Sequence, residues 1–314
     1  MPQPGFFVLH RWAKPPLKAG PYVLHAEHDV ADWSSEPLDS HITVTAPRYT
    51  LPPDQLLGVY PPANASGEFA GRLPQIVMRR SPTVTRPPAN YRRTFIGKYY
   101  ELWERVAGTE GSVRAHLPLG PNVFQPGARP DCRVVRAMAT RARRIGGALA
   151  YVRRPEVIVT SPMVHSLAWH GYGAYPRALV PVSAGAFRSE VSSKTGGRHS
   201  VWIEGSFGRE VRVLVNGRDV GSVSNETGNP GQYFRIGSID LRAGPSSIRV
   251  VQTGGDARPG NGGWDSSLRH IGPVALSAEA NDRREVEWMK PEQARELCSQ
   301  RLDWIEVVER GGSL

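Results

Sequence analysis

Two polar stretches carry the densest set of side chains able to recognise a ligand. Ser224-Asn-Glu-Thr-Gly-Asn-Pro-Gly-Gln-Tyr contributes Asn225, Glu226 and Asn229. Gly254-Gly-Asp-Ala-Arg-Pro-Gly-Asn-Gly-Gly-Trp-Asp contributes Asp256, Arg258, Asn261, Trp264 and Asp265, with Arg269 just beyond. Sugar sites combine an aromatic plate for the C–H face of a ring with forked polar groups for its hydroxyls, and Trp264 with Arg258, Asn261 and Asp265 has that inventory. Asn, Asp and Gly are also what any long ordered turn uses, so plain turn structure stays the simpler alternative. The candidate ligand-binding set is Arg258, Asn261, Trp264, Asp265, Arg269, Asn225 and Glu226.

Bond-breaking chemistry finds less support. No Gly-X-Ser-X-Gly elbow is present, and Gly205-Ser-Phe-Gly reads as a turn between strands. His25 and His28, three apart on an expected strand, point to opposite faces, which argues against shared metal coordination. His165 and His170 with Trp169, Tyr172 and Tyr175 form an aromatic-rich loop, read as a packed plug before a binding loop. Gly260-Asn-Gly-Gly opens no helix, so it fails as a phosphate cradle. No spacing selects a carboxylate pair. The expectation is a protein without catalytic residues, metal or cofactor.

The elements that must position the two polar stretches are short strands. Val211, Val213 and Val215 alternate with Arg212 and Leu214, Asn216-Gly217 supplies two residues suited to positive φ, and Val220 and Val223 carry the return strand. Ser200-Val-Trp-Ile-Glu-Gly-Ser-Phe, Gln232-Tyr-Phe-Arg-Ile-Gly-Ser-Ile-Asp-Leu and Ser247-Ile-Arg-Val-Val-Gln complete a β-sandwich pattern over residues 182–278. The Asn-Gly hairpin, the run Gly237-Ser-Ile-Asp-Leu-Arg-Ala-Gly and the closing Ile271-Gly-Pro-Val-Ala-Leu resemble the galactose-binding-like jelly roll of many carbohydrate-binding modules. That resemblance implies a fold; the fold hosts many functions.

The flanks read differently. Residues 1–80 look like an N-terminal β-rich domain, and Ser81-Pro-Thr-Val-Thr-Arg-Pro-Pro-Ala-Asn, residues 81–90, looks like a Pro-rich linker. Tyr91 to Arg105 gives a hairpin about Gly97-Lys98. Asp131 caps a helix with Val134, Val135, Met138, Ala142 and Ile145 at helical spacing, and Gly146-Gly147 ends it. Pro291 opens a second helix with Ala294, Leu297, Cys298 and Leu302 on one side, before the strand Asp303-Trp-Ile-Glu-Val-Val. The fold class is therefore mainly β with an α+β flank: a jelly roll inserted in or attached to a small α+β domain of residues 91–181 and 279–310, plus the N-terminal domain. Cys132 and Cys298 would lie in that one α+β domain, which favours a disulfide in an oxidising compartment; in a reducing one they would be two small buried hydrophobes.

Two further resemblances give context. Val59-Tyr-Pro-Pro-Ala-Asn-Ala-Ser-Gly-Glu-Phe and Leu73-Pro-Gln-Ile-Val resemble an uncharacterised family that accompanies phage-tail-like contractile assemblies, implying a structural part. Tyr99-Tyr-Glu-Leu-Trp-Glu-Arg, His116-Leu-Pro-Leu-Gly, Arg258-Pro-Gly-Asn-Gly-Gly and Leu302-Asp-Trp-Ile-Glu-Val-Val resemble soluble domains at the end of actinobacterial membrane glycosyltransferase-type proteins. This chain lacks their membrane helices, so only an envelope or glycan context is implied. The formal charge of +10 comes from 34 arginines against five lysines, and guanidinium forks suit carboxylate and phosphate. Arg133, Arg136, Arg141, Arg143 and Arg144 gather on the first helix, for which a solvated face is the simpler account, so nucleic acid is disfavoured. No signal peptide is visible, and the compartment stays open, with the C-terminal part favouring an extracytoplasmic one. The expected partners are a glycan or anionic envelope polymer and, should the chain be part of a larger assembly, other proteins. The expected function is a non-catalytic glycan-binding accessory protein of the cell envelope or surface; the alternative is a component of a phage-tail-like particle.

Overall fold

The computed structural model describes residues 75–109, 111–120, 124–172, 177–224, 232–253 and 269–309, together with three short strands nearer the N-terminus. In chain order the strands are β1 Tyr22–His25, β2 Thr43–Val44, β3 Tyr49–Thr50, β4 Gln75–Arg79, β5 Tyr91–Ile96, β6 Tyr100–Arg105, β7 Val113–Pro118 and β8 Ala148–Arg153. There follow β9 Val157–Val159, β10 Val164–His165, β11 His170–Gly171, β12 Leu179–Val180, β13 Gly185–Ser193, β14 Gly197–Ser206 and β15 Val211–Val215. The last are β16 Arg218–Val223, β17 Tyr233–Leu241, β18 Gly244–Gln252, β19 His270–Ala278, β20 Glu287–Met289 and β21 Leu302–Val308. A single α-helix among the described residues, α1, spans Cys132–Arg144. The chain divides into two compact units: unit 1 is Met1–Pro155 with Arg283–Leu314, and unit 2 is Glu156–Asp282.

Unit 2 is a jelly-roll β-sandwich. One sheet runs β10-β13-β18-β15-β16, and the other β11-β12-β19-β14-β17 with β9 beside β19. The alternating valines 211, 213 and 215 are buried while Arg212 is exposed, as a half-buried strand requires. Asn216 and Gly217 take φ of 50° and 76°, the left-handed values that a two-residue hairpin needs. The sandwich is larger than the pattern over 182–278 suggested, because β9 to β12, each two or three residues long, extend its second sheet and the edge of its first. Strands that short show no periodicity. The two ends of the unit meet: the Asn281 amide donates to the Glu156 carbonyl at 3.4 Å, and Ala278 N–H reaches the same oxygen at 3.2 Å.

Unit 1 contains two larger sheets and the two-stranded pair β2-β3. In one, the order β1-β4-β6-β5 joins a strand from before residue 80 to the hairpin after it. The expected boundary between residues 80 and 91 therefore falls inside one sheet. The other sheet, β20-β8-β21-β7, packs one face on α1. Val135, Met138, Ala139 and Ala142 of the helix meet Leu149, Tyr151, Leu302, Ile305 and Val307. Asp131 caps the helix, accepting from Arg133 N–H at 2.7 Å. Pro291–Ser299, expected as an α-helix, is a 3-10 segment instead. Cys132 and Cys298 are joined by a disulfide across 5.3 Å between Cα atoms, tying that segment to α1.

The stretch 81–90 is buried throughout and is no linker. Prolines have no N–H to extend a ladder, so side chains of the neighbouring strands supply the hydrogen bonds. Asp303 accepts from Arg86 N–H at 2.9 Å, Glu306 from Ala89 N–H at 2.8 Å, and the Trp304 indole donates to the Arg86 carbonyl at 2.9 Å. Arg154 donates to Pro82 O at 2.8 Å.

Candidate functional site

The register of unit 2 locates where its polar connections depart and return. Val211 of β15 pairs both with Val223, the last residue of β16, and with Gln252, the last of β18. Segments 224–232 and 253–269 thus leave one sheet from neighbouring positions in a single row. On the other sheet, Glu204 of β14 pairs with Tyr233, the first residue of β17, while Ser206 pairs with His270, the first of β19. Both connections return at that same end. A third one joins them: β12 runs antiparallel to β19 with Leu179 against Ile271, so it ends toward His270, and Gly185, the first residue of β13, pairs with Gln252, which brings the connection 181–184 to that end. Three connections therefore share one rim of the sandwich.

Described side chains beneath that rim form a buried polar floor. Glu204 Oε1 and His270 Nε2 lie 2.8 Å apart with both side chains 0% exposed. The register of β14 against β19 shifts between Ile203 and Gly205, and such irregularities re-aim side chains. Gly205 is required there, with φ at 149° and the site of a Cβ only 2.5 Å from the His270 carbonyl oxygen. The ring of Tyr172, half-buried, stacks on His270 at 4.8 Å between centroids and 14° between planes. Phe207 and Phe234 pack at 5.5 Å beside them. The arrangement offers a rigid base under an aromatic ring. Burial of the Glu204–His270 pair makes it a support for the rim and keeps it from open solvent.

Of the residues proposed from sequence, Arg269 is the one within the described part. It is 8% exposed, and its guanidinium lies over Gly208, where a Cβ would come within 2.6 Å of Nε. Asn225, Glu226, Arg258, Asn261, Trp264 and Asp265 lie outside the described residues. Glu204 and His270 escaped the sequence reading because they lie far apart along the chain, and Tyr172 was read only as part of an aromatic plug. The Trp169 to Tyr175 loop was the available signal. Its Trp169 is buried and donates to the Ser183 carbonyl at 2.9 Å, as a packed plug would.

A second concentration of ionisable groups fills the interior of unit 1. Arg86 lies 4.9 Å from the Trp103 ring and 5.9 Å from the Trp304 ring, and burial pushes its guanidinium pKa down to about 10. Burial also lowers Arg154. Burial pushes the Glu101 carboxyl up, yet the guanidiniums of Arg284 and Arg93 outweigh it and hold Glu101 below the usual range. His116 Nδ1 meets Glu306 at 2.7 Å. These groups hold one another and the 81–90 strap, which is a structural task. Among the described residues no group of three or more His, Cys, Asp or Glu could hold a metal, and no helix is long and apolar enough to cross a membrane.

The sequence matches no protein-family model and no curated protein. Similar solved structures include a family 35 carbohydrate-binding module from an environmental isolate, with 16% identity over 44% of this chain and 95% of that one, at a TM-score of 0.26. The corresponding module of Cellvibrio japonicus Abf62 gives 14% identity over 44% and 96%, also at 0.26. A Podospora anserina GH26-CBM35 β-(1,4)-mannanase gives 16% over 42% of this chain, which spans 27% of that enzyme, at 0.25. The likeness is one of fold. At these scores it carries no argument about function.

Proposed function

We propose that unit 2 is a non-catalytic carbohydrate-binding module, with its ligand held at the rim where the three connections converge. The observation that carries this reading is the shared row of departure and return for segments 224–232 and 253–269. By sequence Asn225 and Glu226 belong to one of these connections and Arg258, Asn261, Trp264 and Asp265 to the other, and the strands that begin and end both connections lie at the same end of the sandwich. Scaffold-borne loops of that kind are where recognition residues concentrate. Trp264 serves as the aromatic plate, Arg258, Asn261 and Asp265 bind hydroxyls, and Arg269 stiffens the return of its connection. Tyr172 on His270 borders the same rim. A disulfide-bonded chain fits an oxidising, extracytoplasmic setting such as the cell envelope.

The test is a neutral glycan array followed by calorimetry on any hit. Trp264→Ala combined with Arg258→Ala should weaken binding by at least about tenfold, the order expected when a central aromatic anchor is lost. Unchanged affinity in that double variant, or an array with no hit for the intact chain, would overturn the reading.

A further inference from the structure

We infer that the outward face of α1 is a docking surface for an acidic polysaccharide, separate from the sugar rim of unit 2. The helix sequence Cys132–Arg144 contains five arginines and no acidic residue. At 100° per residue Arg133, Arg136, Arg141, Arg143 and Arg144 fall within an arc of about 160°. All five are exposed, whereas Val135, Met138, Ala139 and Ala142 on the opposite side are sealed into the core.

Gathering on one helix face, together with the scarcity of ion pairs, marks these guanidiniums, since among the described residues Arg92, Arg188, Arg218, Arg242 and Arg249 are also exposed without an ion pair but lie on strands or, for Arg242, between two of them. Arg114, Arg153, Arg198, Arg212 and Arg235 each face a carboxylate. On α1 Arg133 alone does, pairing with Asp131 at 3.0 Å. Among the described residues Arg136, Arg141, Arg143 and Arg144 have no ion-pair partner, and Arg143 reaches only the Thr140 hydroxyl at 3.3 Å. The adjoining 3-10 segment exposes Glu292, Arg295 and Glu296, and neither glutamate pairs with α1. Like charges three and four residues apart destabilise a helix. The helix dipole offsets this for the three arginines of the last turn but not for Arg136, which lies nearer the start.

The chemistry of the partner follows from the residue type and the mounting. Guanidinium forks bind carboxylates in pairs, and several on one rigid face suit a polymer with repeated carboxylates. The apolar side of α1 is committed to the core apart from Val134, and one valine is too little to bury in a bilayer. The disulfide at Cys132 fixes the helix to its neighbour and points to an oxidising compartment, where a cell-surface polymer is a more available anion than nucleic acid.

The full chain should bind polygalacturonate at low salt, and binding should weaken steeply as salt rises. Changing Arg136, Arg141, Arg143 and Arg144 together to Gln should weaken it at least about tenfold, as loss of four exposed charge contacts predicts, while the thermal transitions stay in place. The four Lys equivalents should recover part of the binding. Trp264→Ala with Arg258→Ala should leave polygalacturonate binding intact, which keeps this inference distinguishable from the sugar rim. Equal binding by the Gln variant, or equal binding of the fully methyl-esterified polymer, would overturn it. So would tighter binding to a DNA duplex or to anionic phospholipid vesicles that the same Gln variant abolishes.

Discussion

Replacing Cys132 and Cys298 by serine should lower the stability of unit 1 by about 4–5 kcal/mol and leave unit 2 almost unchanged. The cysteines are 166 residues apart, and closing a loop of that length restricts the unfolded chain by about 5 kcal/mol at 25 °C in the chain-entropy treatment. Most of that loop is unit 2. If unit 2 stays folded while unit 1 unfolds, the freed chain shrinks to roughly 40 residues and the loop-closure contribution to about 4 kcal/mol. For a unit of this size such a loss shifts the melting temperature by about 10–15 °C. Scanning calorimetry of the oxidised protein and the double serine variant would resolve the unfolding of the two units. A unit 1 transition displaced by less than about 2 °C, or equal displacement of both transitions, would refute the reasoning.

Other perturbations probe the buried polar groups. Glu101 has a folded pKa below its unfolded value, so the unfolded chain takes up protons first, and its stabilisation is full above about pH 4.5 and lost as pH falls through the lower folded value. Glu101→Gln should therefore flatten the acid-side loss of unit 1 stability while costing about 3–5 kcal/mol at neutral pH, by removing the buried carboxylate that Arg284 and Arg93 share. Denaturant titrations between pH 3 and 7 would show it, and an unaltered pH slope would count against it. Gly205→Ala should destabilise unit 2 by about 2–4 kcal/mol, since the new Cβ meets the His270 carbonyl at a φ that L residues rarely adopt. A urea midpoint equal to that of the parent would contradict this.

Local signals made part of the fold legible. Asn216-Gly217 between alternating valines specified a hairpin because few other pairs adopt its positive φ values, and Asp131 before a helical repeat specified the cap of α1. The strap over 81–90 was illegible for a physical reason. A run of prolines looks the same in water as in a core, and here the bonds that bury it come from Asp303, Glu306 and Trp304, more than 200 residues later. Strands β9 to β12 are too short to carry a period, and the 3-10 segment at Pro291–Ser299 shares its apolar spacing with an α-helix. At the rim, the polar connections were readable as compositions, and the register supplied their common end. The Glu204–His270 pair bridges 66 residues and has no local signature.

The clasp between Glu156 and Asn281 has a consequence for how the chain can be rebuilt. Because entry and exit of the sandwich adjoin, the module behaves as a cartridge on a single socket. Residues 156–282 could be excised and a short glycine bridge left in their place, or the excised piece transplanted into a loop of another host. Gene rearrangement could exchange such a part just as readily, letting one scaffold carry successive inserts while its own cross-link and helix stay as they are.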